Sequence, residues 1–223
     1  MQVSGLVSRV RAAIDELMAN DSGFLSQSSD EGNLDNIIKD KIADALQYVV
    51  ENAPLEKLGT SLLTTISGEE LSNRFSIDST TLVASLKLPA DVLRIVEARL
   101  STWTQYPKPE SDTSPVYLMQ SDEYAKGSWD RPVNILTYVG TDRYLKMYSA
   151  KTTTDTLNFS YITKPTVNTS SGTNPVNVPT LLESALVYEV AGMAMVAFRE
   201  DVANSLFAIA DRYIGIESKE AAA

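Results

Sequence analysis

The stretch from Leu86 to Tyr148 constrains the fold more than any other part of the sequence. It opens with LKLPADVLRIVEARLSTW, in which Val96, Ala98 and Leu100 alternate with polar residues. This period of two is typical of a half-buried strand, which we expect to run to about Thr104. A helix over the same residues is the alternative interpretation.

The same block continues with a short helix and a hairpin. Ser114 and Pro115 form a typical helix start, because serine caps free backbone N–H groups and proline fits the first turn. Alternating apolar residues on both sides of Gly140 predict a β-hairpin, and Leu157 to Ile162 supply a third strand. We therefore expect a small antiparallel meander inside a β block that spans residues 81–163.

Helices are predicted on both sides of this block, over residues 1–80 and 180–215. Apolar residues recur there at three- and four-residue steps, which places them on one stripe of each helix. The first two stripes consist of Val3, Leu6, Val7, Val10, Ala13, Ile14 and Leu17, and of Leu34, Ile37, Ile38, Ile42, Leu46, Val49 and Val50. We expect these two helices to form an antiparallel pair. The predicted fold class is α+β, an antiparallel helical bundle with an inserted small antiparallel β-meander.

Two segments lack apolar periodicity. Residues 164–179, KPTVNTSSGTNPVNVP, are dense in Thr, Asn, Ser and Pro and predict a long exposed loop. Residues 216–223 follow a helix-ending glycine and predict a flexible tail. Because no repeat or sharp change of composition marks a boundary, we expect residues 1–223 to form a single domain.

The sequence lacks two residue types on which many enzymes depend. The 223 residues include no cysteine and no histidine. This excludes disulfides, zinc–thiolate sites and any catalytic pair that uses an imidazole base within one chain. Glycine-rich phosphate loops are also absent. The sequence therefore predicts a protein that is not an enzyme and has no cofactor.

Carboxylates are the remaining candidates for acid–base or metal chemistry. The pairs Glu69-Glu70 and Glu200-Asp201 stand beside predicted helix starts, where the helix dipole stabilises negative charge, so capping explains them better than catalysis. Asp122-Glu123 with Asp130 offers oxygen ligands to a divalent cation, but the spacing matches no calcium loop. We therefore expect no metal site.

The net charge of −10 argues against a nucleic-acid-binding surface, which needs clustered Lys and Arg. The acidic excess lies in the flanks: residues 1–80 hold 6 basic and 13 acidic side chains, and residues 166–223 hold 3 and 7. It favours either simple solubility or a surface that repels nucleic acid passing by. No apolar run is long enough to cross a membrane, and the N-terminus lacks the order of a signal peptide, so we expect no Sec export.

Aromatic residues concentrate in the β block. They are Trp103, Tyr106, Tyr117, Trp129, Tyr138, Tyr144, Tyr148 and Tyr161. Such residues usually pack across strands and in the core, whereas several exposed on one face would form a platform for a sugar or a peptide.

Three motifs in this order of elements carry a family resemblance. They are the LPADVLR entry into a strand, the YLMQ helix followed by Pro132, and the AGMAMVAF helix around Gly192. With them, the sequence from about Leu34 to Ile214 resembles the head–tail adaptor family of short-tailed bacteriophages, also called tail tubular or head-completion proteins. It is most similar to the ring proteins of crAss-like phages of gut Bacteroidales. The resemblance implies a non-catalytic virion protein of the phage neck, made in the cytoplasm of the bacterial host.

The resemblance further implies a ring of about twelve copies beneath the portal. One face would bind the portal protein and the other the tail or the next ring, while genomic DNA passes through the centre without specific binding. Because a ring needs two different complementary faces, long loops and tails are suited to reach neighbouring copies. The candidate interface residues are Asn168, Thr169, Ser170, Asn174, Val176, Asn177, Ile216, Glu217 and Lys219. The alternative function is a non-catalytic receptor- or glycan-binding tail component that uses the aromatic β face.

Overall fold

The computed structural model describes residues 1–18, 31–60 and 62–216. The chain forms two compact units. The helical unit comprises residues 1–62 and 165–223, and the β unit comprises residues 63–164. That the whole chain acts as one adaptor domain stays a prediction.

The helical unit contains five helices within the described residues. They are α1 (Val3–Met18), α2 (Glu31–Asn52), α3 (Leu55–Leu58), α6 (Glu183–Met195) and α7 (Glu200–Ile214), with a 3-10 turn at Thr180–Leu182 before α6. The predicted stripes of α1 and α2 are confirmed, because nearly all of their residues are buried, although Leu17 is 41% exposed.

Helix α6 is the centre of this unit. Nine of its thirteen residues are buried, so it is covered on most sides rather than along one stripe. It packs against α7, α2 and α1, and both α1 and α2 contact α6 more than they contact each other. The expected pairing of α1 with α2 is therefore secondary to their shared packing on α6.

The C-terminus of α7 is closed by a glycine and by a lysine from another helix. Gly215 adopts a left-handed φ of 96°, as helix-ending glycines commonly do, and its N–H donates to the carbonyl of Asp211 at 2.8 Å. Lys57 from α3 donates from Nζ to the carbonyls of Tyr213 and Ile214 at 2.8 and 3.0 Å. A cation at a helix C-terminus satisfies free carbonyls and complements the dipole.

The β unit contains eight strands and two short helices among its described residues. The strands are β1 (Leu63–Ile66), β2 (Phe75–Ile77), β3 (Ala84–Lys87), β4 (Val92–Leu100), β5 (Pro109–Ser111), β6 (Val133–Val139), β7 (Asp142–Tyr148) and β8 (Leu157–Thr163), and the helices are α4 (Gly68–Ser72) and α5 (Pro115–Leu118). One sheet has the order β1-β8-β4 and the other the order β2-β3-β7-β6-β5. The β6–β7 hairpin is confirmed. A strand rather than a helix also forms at β4, but it ends at Leu100 instead of near Thr104.

The predicted helical bundle with an inserted small β-meander is wrong. Strands β1 and β2 lie within residues 1–80, which were expected to be helical, and the β-branched run Thr64 to Ile66 favours a strand there. Strand β8 does not continue the hairpin but pairs with β1 and β4 in the other sheet. The fold is therefore an α+β mixture with two sheets of three and five strands.

The turn after β7 explains why the meander does not form. Ser149 has a left-handed φ of 73°, which bends the chain away from the hairpin. Asp155 then accepts hydrogen bonds from the hydroxyls of Thr102 and Thr152, both at 2.7 Å. This anchor places the following strand beside β4 rather than beside β7.

The two sheets share one hydrophobic core, which includes Leu86, Leu100, Trp103, Leu145, Met147 and Phe159. Side chains also link them: Asn134 on β6 donates to the carbonyls of Ala98 on β4 and of Pro107, both at 3.0 Å. The guanidinium of Arg143 on β7 donates to the carbonyl of Val92. The outer edge of β4 is thus partly satisfied by side chains, which reduces its ability to pair with another chain.

Gly192 allows the closest approach between α6 and α7. A Cβ atom at this position would lie 2.6 Å from the ring of Phe207. We therefore expect Gly192→Ala to lower the free energy of unfolding by about 1–3 kcal/mol through overpacking, although alanine is the better helix former. Urea unfolding followed by circular dichroism measures the change.

Gly5→Ala is the matched control, because Gly5 lies in α1 and a Cβ there would meet nothing within 4 Å. This variant is expected to gain up to about 1 kcal/mol. A Gly192→Ala protein at least as stable as the original would contradict the close helix contact.

Candidate interaction site

Residues 164–179 contain no helix or strand and are tied to the start of α1. Val3 and Ser4 donate their N–H groups to the carbonyls of Asn174 and Gly172 at 3.0 and 2.9 Å. The N–H of Val176 donates to the carbonyl of Met1 at 2.8 Å. Since the first N–H groups of a helix lack partners within it, the loop satisfies part of the N-terminus of α1.

The candidate interface residues of this loop and the tail differ in exposure. Asn168, Ser170 and Asn177 are exposed, Thr169, Asn174 and Ile216 are half-buried, and Val176 is buried with 1% exposure. Glu217 and Lys219 lie outside the described residues. The structure brings Asn168 and Asn174 together, because the amide of Asn174 donates to the carbonyl of Asn168 at 2.9 Å. Contact with another subunit stays a prediction for all nine.

A second surface, which sequence reasoning missed, lies in the β unit. We call residues 115–131 the exposed segment; it contains α5, a 3-10 turn at Met119–Ser121 and the chain leading to β6. Leu118, Met119 and Tyr124 are 68%, 49% and 97% exposed there. The short helix predicted after Ser114 and Pro115 is α5, but it ends at Leu118 and buries no residue. Consecutive apolar residues after Pro115 were the available signal, because a single short turn cannot bury all of them.

Internal hydrogen bonds fix the exposed segment. Ser114 caps α5 by accepting from the N–H of Tyr117 at 3.3 Å, as predicted. Gln120 donates to the carbonyl of Val116 at 2.7 Å and accepts from the N–H of Gly127 at 3.0 Å. The apolar side chains are therefore presented by an ordered backbone rather than by a loose loop.

The predicted aromatic cluster divides into buried and exposed members. Trp103 and Tyr161 are buried in the core, whereas Tyr106, Trp129 and Tyr138 are 62%, 45% and 65% exposed. Lys151 lies over the Trp129 ring at 4.6 Å from its centroid, and Arg99 lies over the Tyr106 ring at 4.7 Å. Core packing therefore accounts for only part of the cluster.

Two of the carboxylates considered for metal binding accept hydrogen bonds from residues of their own turns. Asp122 accepts from the N–H groups of Tyr124 and Ala125 at 2.8 and 3.2 Å, and Asp130 accepts from the hydroxyl of Ser128. Within the described residues, no group of three acidic side chains is placed to hold a metal ion. Nor does any helix of that part of the chain have the length and apolar character of a membrane span.

The helical unit holds a buried carboxylate. Glu189 on α6 is 3% exposed, and burial, followed by the charge of Asp211 on α7, raises its pKa to about 7. Tyr48 on α2 donates to Asp211 at 3.4 Å, and burial together with both acidic neighbours raises its pKa as well. The three helices thus meet around a group that is costly to ionise.

Comparison with known proteins gives one family. The sequence matches the SU10 adaptor protein family over residues 1–222, which is nearly the whole chain. No curated protein matches the sequence significantly.

The raised pKa of Glu189 predicts how stability depends on pH. Between its ordinary value of 4.5 and about 7, the folded state binds more protons than the unfolded state, so stability is lost as pH rises through this window. We expect Glu189→Gln to be more stable than the original protein at pH 8, by up to about 3 kcal/mol, and nearly equal to it at pH 4.5.

Urea unfolding of both proteins at these two pH values measures the difference. Asp44→Asn is the control, because Asp44 is an exposed carboxylate on α2. The same pH-dependent gain in Asp44→Asn, or none in Glu189→Gln, would show that Glu189 is not the responsible group.

Proposed function

The chain belongs to the SU10 adaptor protein family, and from this premise we propose that it joins the portal of the phage head to the tail. Membership makes it a phage structural adaptor and a component of the virion. The proposal adds that about twelve copies form a ring beneath the portal protein, that the tail or a further ring binds below, and that genomic DNA passes through the centre. A counterpart role to the ring proteins of crAss-like phages is part of this proposal.

The family match over almost the entire length is the observation that carries this proposal. An adaptor needs surfaces rather than catalytic groups, and a ring built by rotation needs two different faces on each subunit. The candidate surfaces are the 164–179 loop, which apart from Lys164 belongs to the helical unit, and the exposed segment of the β unit; hydrogen bonds fix each of them.

The distribution of charge supports a ring whose central passage does not bind DNA. The helical unit carries 8 basic and 17 acidic side chains, and the β unit carries 11 and 12. A lining drawn from the acidic unit would repel phosphates and would release no counterions on contact, so DNA would pass without being bound.

Exposed aromatic side chains favour a second candidate function. Tyr124 and Trp129 lie on the exposed segment, and such rings can bind a sugar or a peptide of a receptor. In this alternative the chain would still be a virion protein, but at the tip of the tail rather than at the neck.

Quantitative mass spectrometry of purified virions tests the proposed location. We expect a copy number equal to that of the portal protein, together with cross-links between the two proteins. A chain that is absent from intact particles contradicts the adaptor function. Cross-links to tail tip proteins alone would favour the receptor-binding alternative.

Incorporation into virions tests whether the exposed segment contacts a partner. Combined Leu118→Ser, Met119→Ser and Tyr124→Ser changes remove apolar area that contributes about 25 cal/mol per Å² when a partner covers it. We expect these changes to leave the fold intact and to reduce incorporation into virions at least tenfold in a phage that lacks the original gene. Incorporation is measured by the same mass spectrometry.

Glu123→Gln is the matched control, because it alters the same segment without removing apolar area. It should assemble normally. Normal incorporation of the triple variant would exclude Leu118, Met119 and Tyr124 from every essential contact.

A further inference from the structure

A cleft of about 660 Å³ lies beside the exposed segment in the β unit. One wall is the turn between β2 and β3, and the other is the part of the exposed segment from Lys126 to Trp129. Tyr148 and Ser149, at the end of β7, also line it. The volume falls within the range of about 300–1,000 Å³ that is typical of ligand sites and is too small for a folded domain.

The cleft contains the two non-glycine residues of the described chain that have a positive φ. They are Leu82 at 54° and Ser149 at 73°. A left-handed conformation is unfavourable for both, and most of all for the bulky Leu82. Strained residues of this kind persist where the surroundings impose them, and they cluster at ligand-binding sites.

Hydrogen bonds hold both strained residues in place. Leu82 donates its N–H to the carbonyl of Asp78 and accepts from the N–H of Ala150, each at 2.9 Å. The indole of Trp103 donates to the carbonyl of Ser149 at 3.1 Å, and the hydroxyl of Ser149 donates to the carbonyl of Gly127. The two walls are thus joined across the floor of the cleft, which is formed before any ligand binds.

The lining carries one positive charge and no negative charge. Of the twelve lining residues, Lys126 is charged and none is acidic, whereas the β unit as a whole holds 11 basic and 12 acidic side chains. Lys151 stands beside the cleft over Trp129. The nearby carboxylates Asp78 and Asp130 accept hydrogen bonds within their own turns. By contrast, the neighbouring cleft of about 440 Å³, which shares Lys126, is lined by Glu123 and Asp130 as well as by Arg131.

We propose that the larger cleft binds a short, extended, acidic segment of a partner protein. An apolar side chain of the segment contacts Trp129 and Tyr148, and a carboxylate pairs with Lys126. Charge complementarity selects an acidic partner, and the volume selects a segment rather than a domain. The inference goes beyond the proposed function, because it requires neither a ring nor a portal.

Fluorescence titration of the full-length protein at low salt tests this binding, since Trp129 lines the cleft while Trp103 is buried. The probe is the capped pentapeptide Asp-Glu-Phe-Asp-Glu, and Lys-Lys-Phe-Lys-Lys is the peptide of opposite charge. We expect saturable binding of the acidic peptide alone and no fluorescence change in Trp129→Phe. Lys126→Glu should bind roughly tenfold more weakly, because a charged hydrogen bond is lost.

Lys108→Glu is the matched control: Lys108 is exposed, lines neither cleft, and its replacement changes the net charge by the same amount. It should bind like the original protein. No saturable binding, equal binding by Lys126→Glu, or equal binding of the basic peptide would overturn the proposal. Tighter binding of a short single-stranded DNA would also overturn it, by assigning the cleft to nucleic acid. Each of these failures leaves the copy number in virions unaffected.

Discussion

Hydrogen bonds from two buried side chains and one half-buried side chain hold together two sheets of the β unit that share no strand. Asn134 donates to two carbonyls on and beyond β4, Arg143 donates to a third at the start of that strand, and Trp103 donates to the carbonyl of Ser149. Each of these donors would be costly to bury without a partner. Because Asn134 and Arg143 use carbonyls of β4, the edge of that strand is a poor site for adding another strand. We therefore expect a partner of this unit to bind its exposed side chains or its cleft rather than to extend the sheet.

One local feature links the topology of the β unit to its cleft. The left-handed turn at Ser149 directs the chain out of the five-stranded sheet, so that β8 completes the other sheet. The same turn places the Ser149 hydroxyl against the carbonyl of Gly127, where the exposed segment returns to the sheet. A change at this turn would alter strand order and cleft shape together. The conformational cost of the turn, of order 1–2 kcal/mol, is therefore tied to the fold as well as to the candidate site.

The sequence predicts elements of this protein better than their arrangement. The apolar stripes of α1 and α2, the Ser114-Pro115 helix start and the β6–β7 hairpin follow from local periodicity and capping, which act over a few residues. The pairing partner of β8 cannot be predicted in this way, because nothing in the local sequence distinguishes pairing with β7 from pairing with β4. The exposed segment was missed for a similar reason. Its apolar residues are of types that usually pack in a core, and only the tertiary structure shows that no other part of the β unit covers Tyr124. Family resemblance, by contrast, led to the adaptor family that the whole chain matches.

The two units differ in net charge, and this difference concerns two separate effects: long-range repulsion of nucleic acid and specific binding of a ligand. The helical unit carries nine more acidic than basic side chains, whereas the β unit carries one more. Long-range repulsion of nucleic acid requires only net charge and is screened over about 8 Å at physiological salt. Specific binding requires a particular cation held at a particular place, as Lys126 and Lys151 are beside Trp129. In the proposed ring, acidic side chains of the helical unit could therefore be exchanged among positions with little effect on the passage of DNA. In the proposed peptide site, by contrast, moving Lys126 away from the cleft would remove the cation that pairs with the acidic segment.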